Sequence, residues 1–239
     1  MLSKEQTMSH LPKVLNALSR LLCYPDDQTV QTAELLYVVL HGELAEAARE
    51  VAAFGAFADQ HDLYELEETF TRTFDVNPCC ALEVGWHLFG EEYARGMFLV
   101  RMREELRKYN LPESVELPDH LCHVLAVVAA MPDDEATRFV QACVQPAAAR
   151  MDQALRTKDT PYRHVVRCLH LVLEYIWGPV SKAVGTEQDA RRGERFKSDP
   201  LQSYRPADVG CESGCSDACG APLQLVSLQT VPHDDEARE

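Results

Sequence analysis

The pattern that most limits this chain's fold is the spacing of its apolar residues, which follows the turn of an α-helix and almost nowhere the alternation of a strand. Val14, Leu15, Leu18, Leu21 and Leu22 form one such stripe, stopped by the turn "YPDD" from Tyr24 to Asp27. A second helix is predicted from Val30 to Leu40, with Gly42 past its end, and an alanine-rich third from Leu44 to Ala58. Leu63, Leu66, Phe70 and Phe74 trace a fourth, closed by "DVNP". A long helix follows from about Glu91 to Tyr109, another opens at "LPDH" with Pro118, and a further one starts after "MPDDE". The best-marked runs from Pro161 to Trp177: Thr160 is placed to cap it, Pro161 suits its first turn, and Gly178-Pro179 end it. Its apolar residues lie nearly all round, which predicts a buried central helix. Ile176 is the only isoleucine, and no segment reads as a hairpin. The expected fold is all-α, a single compact multi-helix bundle with short connections.

After Gly178 the composition turns polar and rich in small and turn-forming residues. This divides the chain into a helical domain, residues 1–179, and a tail, residues 180–239, expected to be flexible. "LQLVSLQTV", Leu223 to Val231, is the tail's one apolar patch, suited to docking as a short strand or helix. Within "GCESGCSDACG", Cys211, Cys215 and Cys219 recur every fourth residue and would share one face of a helix. Three thiolates suit zinc or an iron–sulfur cluster, with a fourth ligand from His233, another chain or solvent. Metal knuckles more often use C-x-x-C, and the surrounding glycines disfavour a helix, so an unliganded, oxidisable tail is the competing reading.

A net charge of −15 argues against nucleic acid, which an acidic protein repels, and favours cationic partners such as basic peptides. The N-terminus "MLSKEQTMSHLPK" lacks the pattern of a secretory signal, and no window approaches the roughly 20 apolar residues that span a bilayer. A cytoplasmic location without membrane insertion is expected, where nine cysteines are reduced thiols or metal ligands rather than disulfides.

Catalytic signatures are missing: no phosphate loop, dinucleotide fingerprint, nucleophile elbow or H-E-x-x-H occurs, nor the paired Glu-x-x-His of di-iron bundles. The chain is not expected to be an enzyme. His120 and His123 stand one turn apart, a spacing compatible with a metal but without the carboxylates or thiolates that complete a site. Glu83 and His87 suit a helix-surface ion pair, and Cys143 and Cys168 suit the core.

Three stretches resemble one family. "LSRLLCYPDD" is similar to the opening of the nitrate reductase assembly chaperones, and "YELEETFTRTFDV" to their "Y-x-x-x-F-D" helix end. "WHLFGEEYARGMFLVRMREELRKYNL", followed by "ELPDHLCHVLAVVAAMPDDEA", resembles their H-x-x-G-x-x-x-x-R-G signature and L-P-D-H-L helix start. The likeness covers about residues 11 to 178 and identifies the chain as a member of the redox-enzyme maturation chaperones, the NarJ/TorD/DmsD superfamily. Trp86-His87-Leu88-Phe89 and Tyr93 depart from the nitrate reductase branch and are closer to chaperones of periplasmic type II enzymes, so the client stays open among nitrate, selenate, chlorate, dimethyl sulfide and ethylbenzene types.

The resemblance implies an all-helical chaperone that binds the N-terminal or twin-arginine signal segment of an apo molybdenum enzyme of the dimethyl sulfoxide reductase family, and holds it for cofactor insertion. It implies no resident cofactor. A transient contact with the molybdenum cofactor near His120 and His123 is a further alternative. The residues offer complements to a signal peptide: Glu91, Glu92 and Asp119 for guanidinium groups, and Trp86, Leu88, Phe89 and Phe98 for an apolar helix. His87, Tyr93, Arg95, Gly96 and His120 complete the expected surface. Gly96 inside a helix costs roughly 1 kcal/mol against Ala, which a close backbone approach would offset. Competing readings put Phe98 with Met102 in the core and pair Arg95 with Asp119 as a structural link.

Overall fold

The computed structural model describes residues 4–179, with side chains from His10 onward. Ten α-helices follow one another: α1 Lys4–Leu21, α2 Thr29–Leu40, α3 Ala45–Gln60, α4 Leu63–Thr73, α5 Val84–Phe89, α6 Tyr93–Lys108, α7 Leu121–Ala130, α8 Asp133–Phe139, α9 Gln145–Leu155 and α10 Tyr162–Trp177. No strand occurs among the described residues; one isolated antiparallel bridge joins Glu83 and His120. Nor is any helix among them long and apolar enough to cross a membrane. The tail, including Cys211, Cys215, Cys219 and Leu223 to Val231, lies outside the described residues.

The apolar stripes become the core as their spacing requires. Leu15, Leu18 and Leu22 are fully buried where α1 packs between α2 and α7. On the other side α2 packs on α3, α3 on α10, and α10 on α9. Local signals set several helix ends. Asp62 and Glu65 form a reciprocal capping box on α4: the Glu65 amide donates to Asp62 at 2.9 Å, and the Asp62 amide to Glu65 at 3.2 Å. Gly178, at φ +83°, closes α10. Between α8 and α9 the helix widens into a π-turn, Val140–Val144, just ahead of Pro146, whose ring nitrogen has no hydrogen to donate to the preceding turn.

Two expectations about α10 need correction. Thr160 does not cap it; its hydroxyl meets that of Thr73 at 2.6 Å, and Pro161 occupies the cap position. The helix is also one-sided. Val165, Val166, Leu169, Val172 and Leu173 are buried, whereas Arg167 faces Glu46 at 3.1 Å and Asp152 at 3.3 Å, and His164 meets Glu50 at 2.6 Å. Long charged side chains on that face reach neighbouring helices instead of lying in the core. Phe70 of α4 and Phe74 just past its end pack edge-on against Tyr162, with ring centroids 5.4 and 5.2 Å away, which fixes the start of α10.

Candidate functional site

The two signature stretches, far apart in sequence, meet at the start of α5. The Val84 amide donates to the Asp119 carbonyl at 2.8 Å, and the Leu121 amide to the Leu82 carbonyl at 2.9 Å. Across this short pairing the Asp119 carboxylate accepts the Gly85 amide at 3.1 Å, serving an N–H of the α5 first turn that has no partner inside the helix. Arg95, on α6, places Nε 3.5 Å from the same carboxylate oxygen, and its guanidinium lies over the Trp86 ring, 5.5 Å from the centroid. Arg95 is thus held between an anion and an aromatic face. The Trp86 indole N–H donates to the Pro78 carbonyl at 2.9 Å, anchoring the ring's far side.

Asp119 is 0% exposed. Burial pushes its carboxyl above the usual range, opposed by Arg95 and reinforced by Glu83. His120 caps α7 through Nδ1, which accepts the Cys122 amide at 3.2 Å. Burial, with His123 beside it, lowers the His120 pKa to about 4, so the ring is neutral near pH 7. His87 is buried with Nε2 2.7 Å from the Ala81 carbonyl, and burial lowers its pKa too; its own carbonyl accepts a hydrogen bond from Arg150.

These placements revise the sequence expectations. Phe98, Leu88, Asp119, His87 and His120 lie inside the fold, not on an open surface. Phe98 points inward because it shares the buried side of α6 with Met102, Glu105 and Leu106; its ring lies 5.7 Å from Phe89 and 6.5 Å from Phe139. Asp119 does take a guanidinium, but from Arg95 of its own chain. A Cβ added at Gly96 would meet nothing within 4 Å, so no close approach among the described residues explains the glycine. The tightly enclosed glycine is Gly85, where an added Cβ would stand 2.6 Å from Asp119 Oδ2 and 2.9 Å from Phe98 Cδ1. Glu83 and His87 form no ion pair: Glu83 stands in extended backbone ahead of α5, off the helix face the spacing assumed, and His87 Nε2 is engaged with the Ala81 carbonyl. His123 is bonded internally to Leu117 and Ser114, and among the described residues no group of three or more His, Cys, Asp and Glu is arranged for a metal.

What remains at the surface forms a connected set. Tyr93 is 85% exposed, and Gly96, Met97 and Val100 follow it along the outward side of α6. Glu91 and Glu92 precede it in the exposed turn after Gly90, whose φ of +58° allows the sharp change of direction. Neither enters an ion pair among the described residues. Half-buried Trp86 and Phe89 belong to the neighbouring α5. Arg103 on α6 grips Glu113 at 2.9 Å, tying down a loop that carries exposed Val115 and Leu117. Met97 and Val100 escaped the sequence reading, although their spacing from Tyr93, four and seven residues, carries the signal of one helix face. A cavity of about 430 Å³ lies elsewhere, among Leu11, Val128, Met131, Ala136, Ile176 and Trp177 of α1, α7, α8 and α10 and the turn after α7.

Comparison with known proteins adds an independent line. A family model described as the nitrate reductase delta subunit matches residues 41–166, more than half of the chain. The Escherichia coli K12 protein named nitrate reductase molybdenum cofactor assembly chaperone NarJ is 26% identical over 149 residues, 61% of this chain and 63% of that protein. Its namesake from Escherichia coli O157:H7 matches equally. The chain therefore spans just under two thirds of the length of these curated relatives. The crystal structure of an Archaeoglobus fulgidus protein described as a redox enzyme maturation protein is similar with a TM-score of 0.50 at 22% identity, covering 69% of this chain and 94% of that one. That likeness concerns the fold.

Proposed function

This chain belongs to the nitrate reductase delta subunit family, and on that footing we propose that it is a non-catalytic maturation chaperone for the catalytic subunit of a molybdenum-dependent oxidoreductase. It grips the N-terminal or twin-arginine signal segment of the apo subunit and holds it while the molybdenum cofactor is inserted, before assembly or export. The observation that carries this reading is the outward side of α6, where Tyr93, Gly96, Met97 and Val100 leave an apolar strip beside the open carboxylates of Glu91 and Glu92. An apolar helix gains by covering the strip, and Gly96 lets its backbone come close. Arginines ahead of that helix find carboxylates that accept bidentate hydrogen bonds. Trp86 and Arg95 border the strip from α5 and α6, locked in place by Asp119.

Handover requires moderate affinity. A dissociation constant on the order of a micromolar, about −8 kcal/mol, is expected for a synthetic peptide with paired arginines followed by an apolar stretch. Isothermal titration measures it, and the same peptide carrying a photo-crosslinker reports the address. Crosslinks to α6 support the reading. Lack of heat up to high micromolar peptide, or crosslinks confined to the cavity between α1 and α10, count against it.

A further inference from the structure

The loop between α6 and α7, residues 109–120, does not leave α6 but runs back along it. The Leu111 amide donates to the Leu106 carbonyl at 2.9 Å, Arg103 Nε donates to Glu113 at 2.9 Å, and Arg95 meets Asp119 at 3.5 Å. The loop therefore passes from the end of α6 to its first turn. With about 100° between successive residues, the order round α6 from Arg95 is Arg103, Gly96, Val100, Tyr93 and Met97. Tied to Arg95 and Arg103, the loop flanks the exposed strip on its Gly96 edge. Buried His123 holds it from beneath: Nδ1 donates to the Leu117 carbonyl at 3.0 Å, which leaves Nε2 to accept from the Ser114 hydroxyl at 3.1 Å and amide at 3.3 Å. Between these anchors Val115 is 100% exposed, and the Leu117 side chain, at 44%, also faces out. A pinned backbone thus keeps two apolar side chains out of the core, beside an apolar helix face.

The strip's two ends differ in charge. Glu91 and Glu92 put two open carboxylates at the start of α6. Farther along, Arg101 and Arg107 enter no ion pair among the described residues, and they offset Glu104 and the loop's Glu116. Arg103 is already matched by Glu113, and Lys108 by Glu105 and Glu135. Resting on the client reading above, we propose that strip and loop form one groove whose charge asymmetry fixes the direction of the segment it holds. The arginines sit at Glu91 and Glu92, and the apolar helix runs parallel to α6 toward Arg107, with Val115 and Leu117 against its side. Reversed, the arginines would fall beside Arg101 and Arg107, where like charges repel. In the forward direction the negative C-terminal end of the bound helix meets those two arginines instead. From Tyr93 to Arg107 α6 rises about 21 Å, so about fourteen residues of helix fill the groove. The same charges also suit α6's own dipole, so peptide binding, not the protein's stability, tells the two uses apart.

The test uses the full-length chain and a synthetic peptide of two arginines followed by about fourteen leucines and alanines. One version carries a benzophenone beside the arginines, a second carries it at the apolar end, and mass spectrometry maps the crosslinks. The first should label the chain around Tyr93, the second the loop around Val115 or the last turn of α6. The same residues in reverse order, arginines last, should bind about tenfold more weakly. Val115→Asp should weaken the forward peptide by about tenfold without moving the melting temperature, because that side chain packs on nothing in the free protein. Exchanged crosslink addresses, or equal affinity of the forward and reversed peptides, overturn the direction while leaving the α6 reading in place. Crosslinks that avoid α6 altogether overturn both.

Discussion

Phe98, Met102 and Leu106 face inward from α6, whereas Tyr93, Gly96, Met97 and Val100 leave the same helix toward solvent. The inner side is closed by other parts of the chain: Phe89 and Phe139 pack on Phe98, and Asp119 holds Arg95. The outer side has comparable apolar content and no cover among the described residues. Two glycines carry the same contrast, Gly85 of α5 hemmed in by Asp119 and Phe98, and Gly96 of α6 open. One side of the helix uses its apolar surface in folding, and the other leaves it exposed.

The sharpest way to break this comparison is truncation on each side. Phe98→Ala should cost about 3–5 kcal/mol of stability, as for other buried aromatic residues. Replacing Tyr93, Met97 and Val100 together by Ala should shift stability little, each within about 0.5 kcal/mol, while weakening the signal-type peptide at least tenfold. Denaturant unfolding and titration calorimetry separate the two outcomes. If the triple variant unfolds as readily as Phe98→Ala, the outer strip belongs to the core.

Acid tests the closed side next. His120 is buried with its pKa lowered to about 4 from 6.5, so the folded state binds a proton less readily than the unfolded chain. Its contribution is complete above pH 6.5 and is lost as pH falls toward 4, by about 3 kcal/mol at pH 4. His87, also lowered, acts in the same sense, whereas Asp119, raised by burial, opposes it below its own folded pKa. Unfolding curves from pH 7 to 4 should show the loss, and His120→Gln should flatten it.

Asp119→Ala removes the acceptor for Gly85 and the partner of Arg95, and should cost about 1–3 kcal/mol. Arg95 is partly exposed and can turn to solvent, which keeps the loss below that of a fully buried pair. The smallest effects compare the glycines. Gly85→Ala should destabilise by about 1–3 kcal/mol through overpacking. Gly96→Ala should stabilise by up to about 1 kcal/mol, with thermal melting as the readout, yet weaken the peptide. A Gly96→Ala variant that binds unchanged would show that no backbone approaches there.

Helix periodicity carried most of this fold openly. Val14 to Leu22, the Phe70 and Phe74 stripe and the "LPDH" start all stand where their spacing places them, because burying one helix face is a local pattern. The competing readings of Phe98 as core and of Arg95 paired with Asp119 were legible from residue chemistry alone. Their selection was not, since either reading satisfies the same local sequence. Met97 and Val100 were hidden for the opposite reason: an exposed apolar residue has no signature until its neighbours are known.

By itself, then, the order of residues determined an all-helical domain and the course of most of its helices, properties set by near neighbours along the chain. Tertiary structure alone decided which side of α6 is sealed, and that Asp119 binds Gly85 and Arg95 instead of facing out. Those outcomes depend on segments tens of residues apart being brought within a few ångströms, and packing, not sequence spacing, sets such distances.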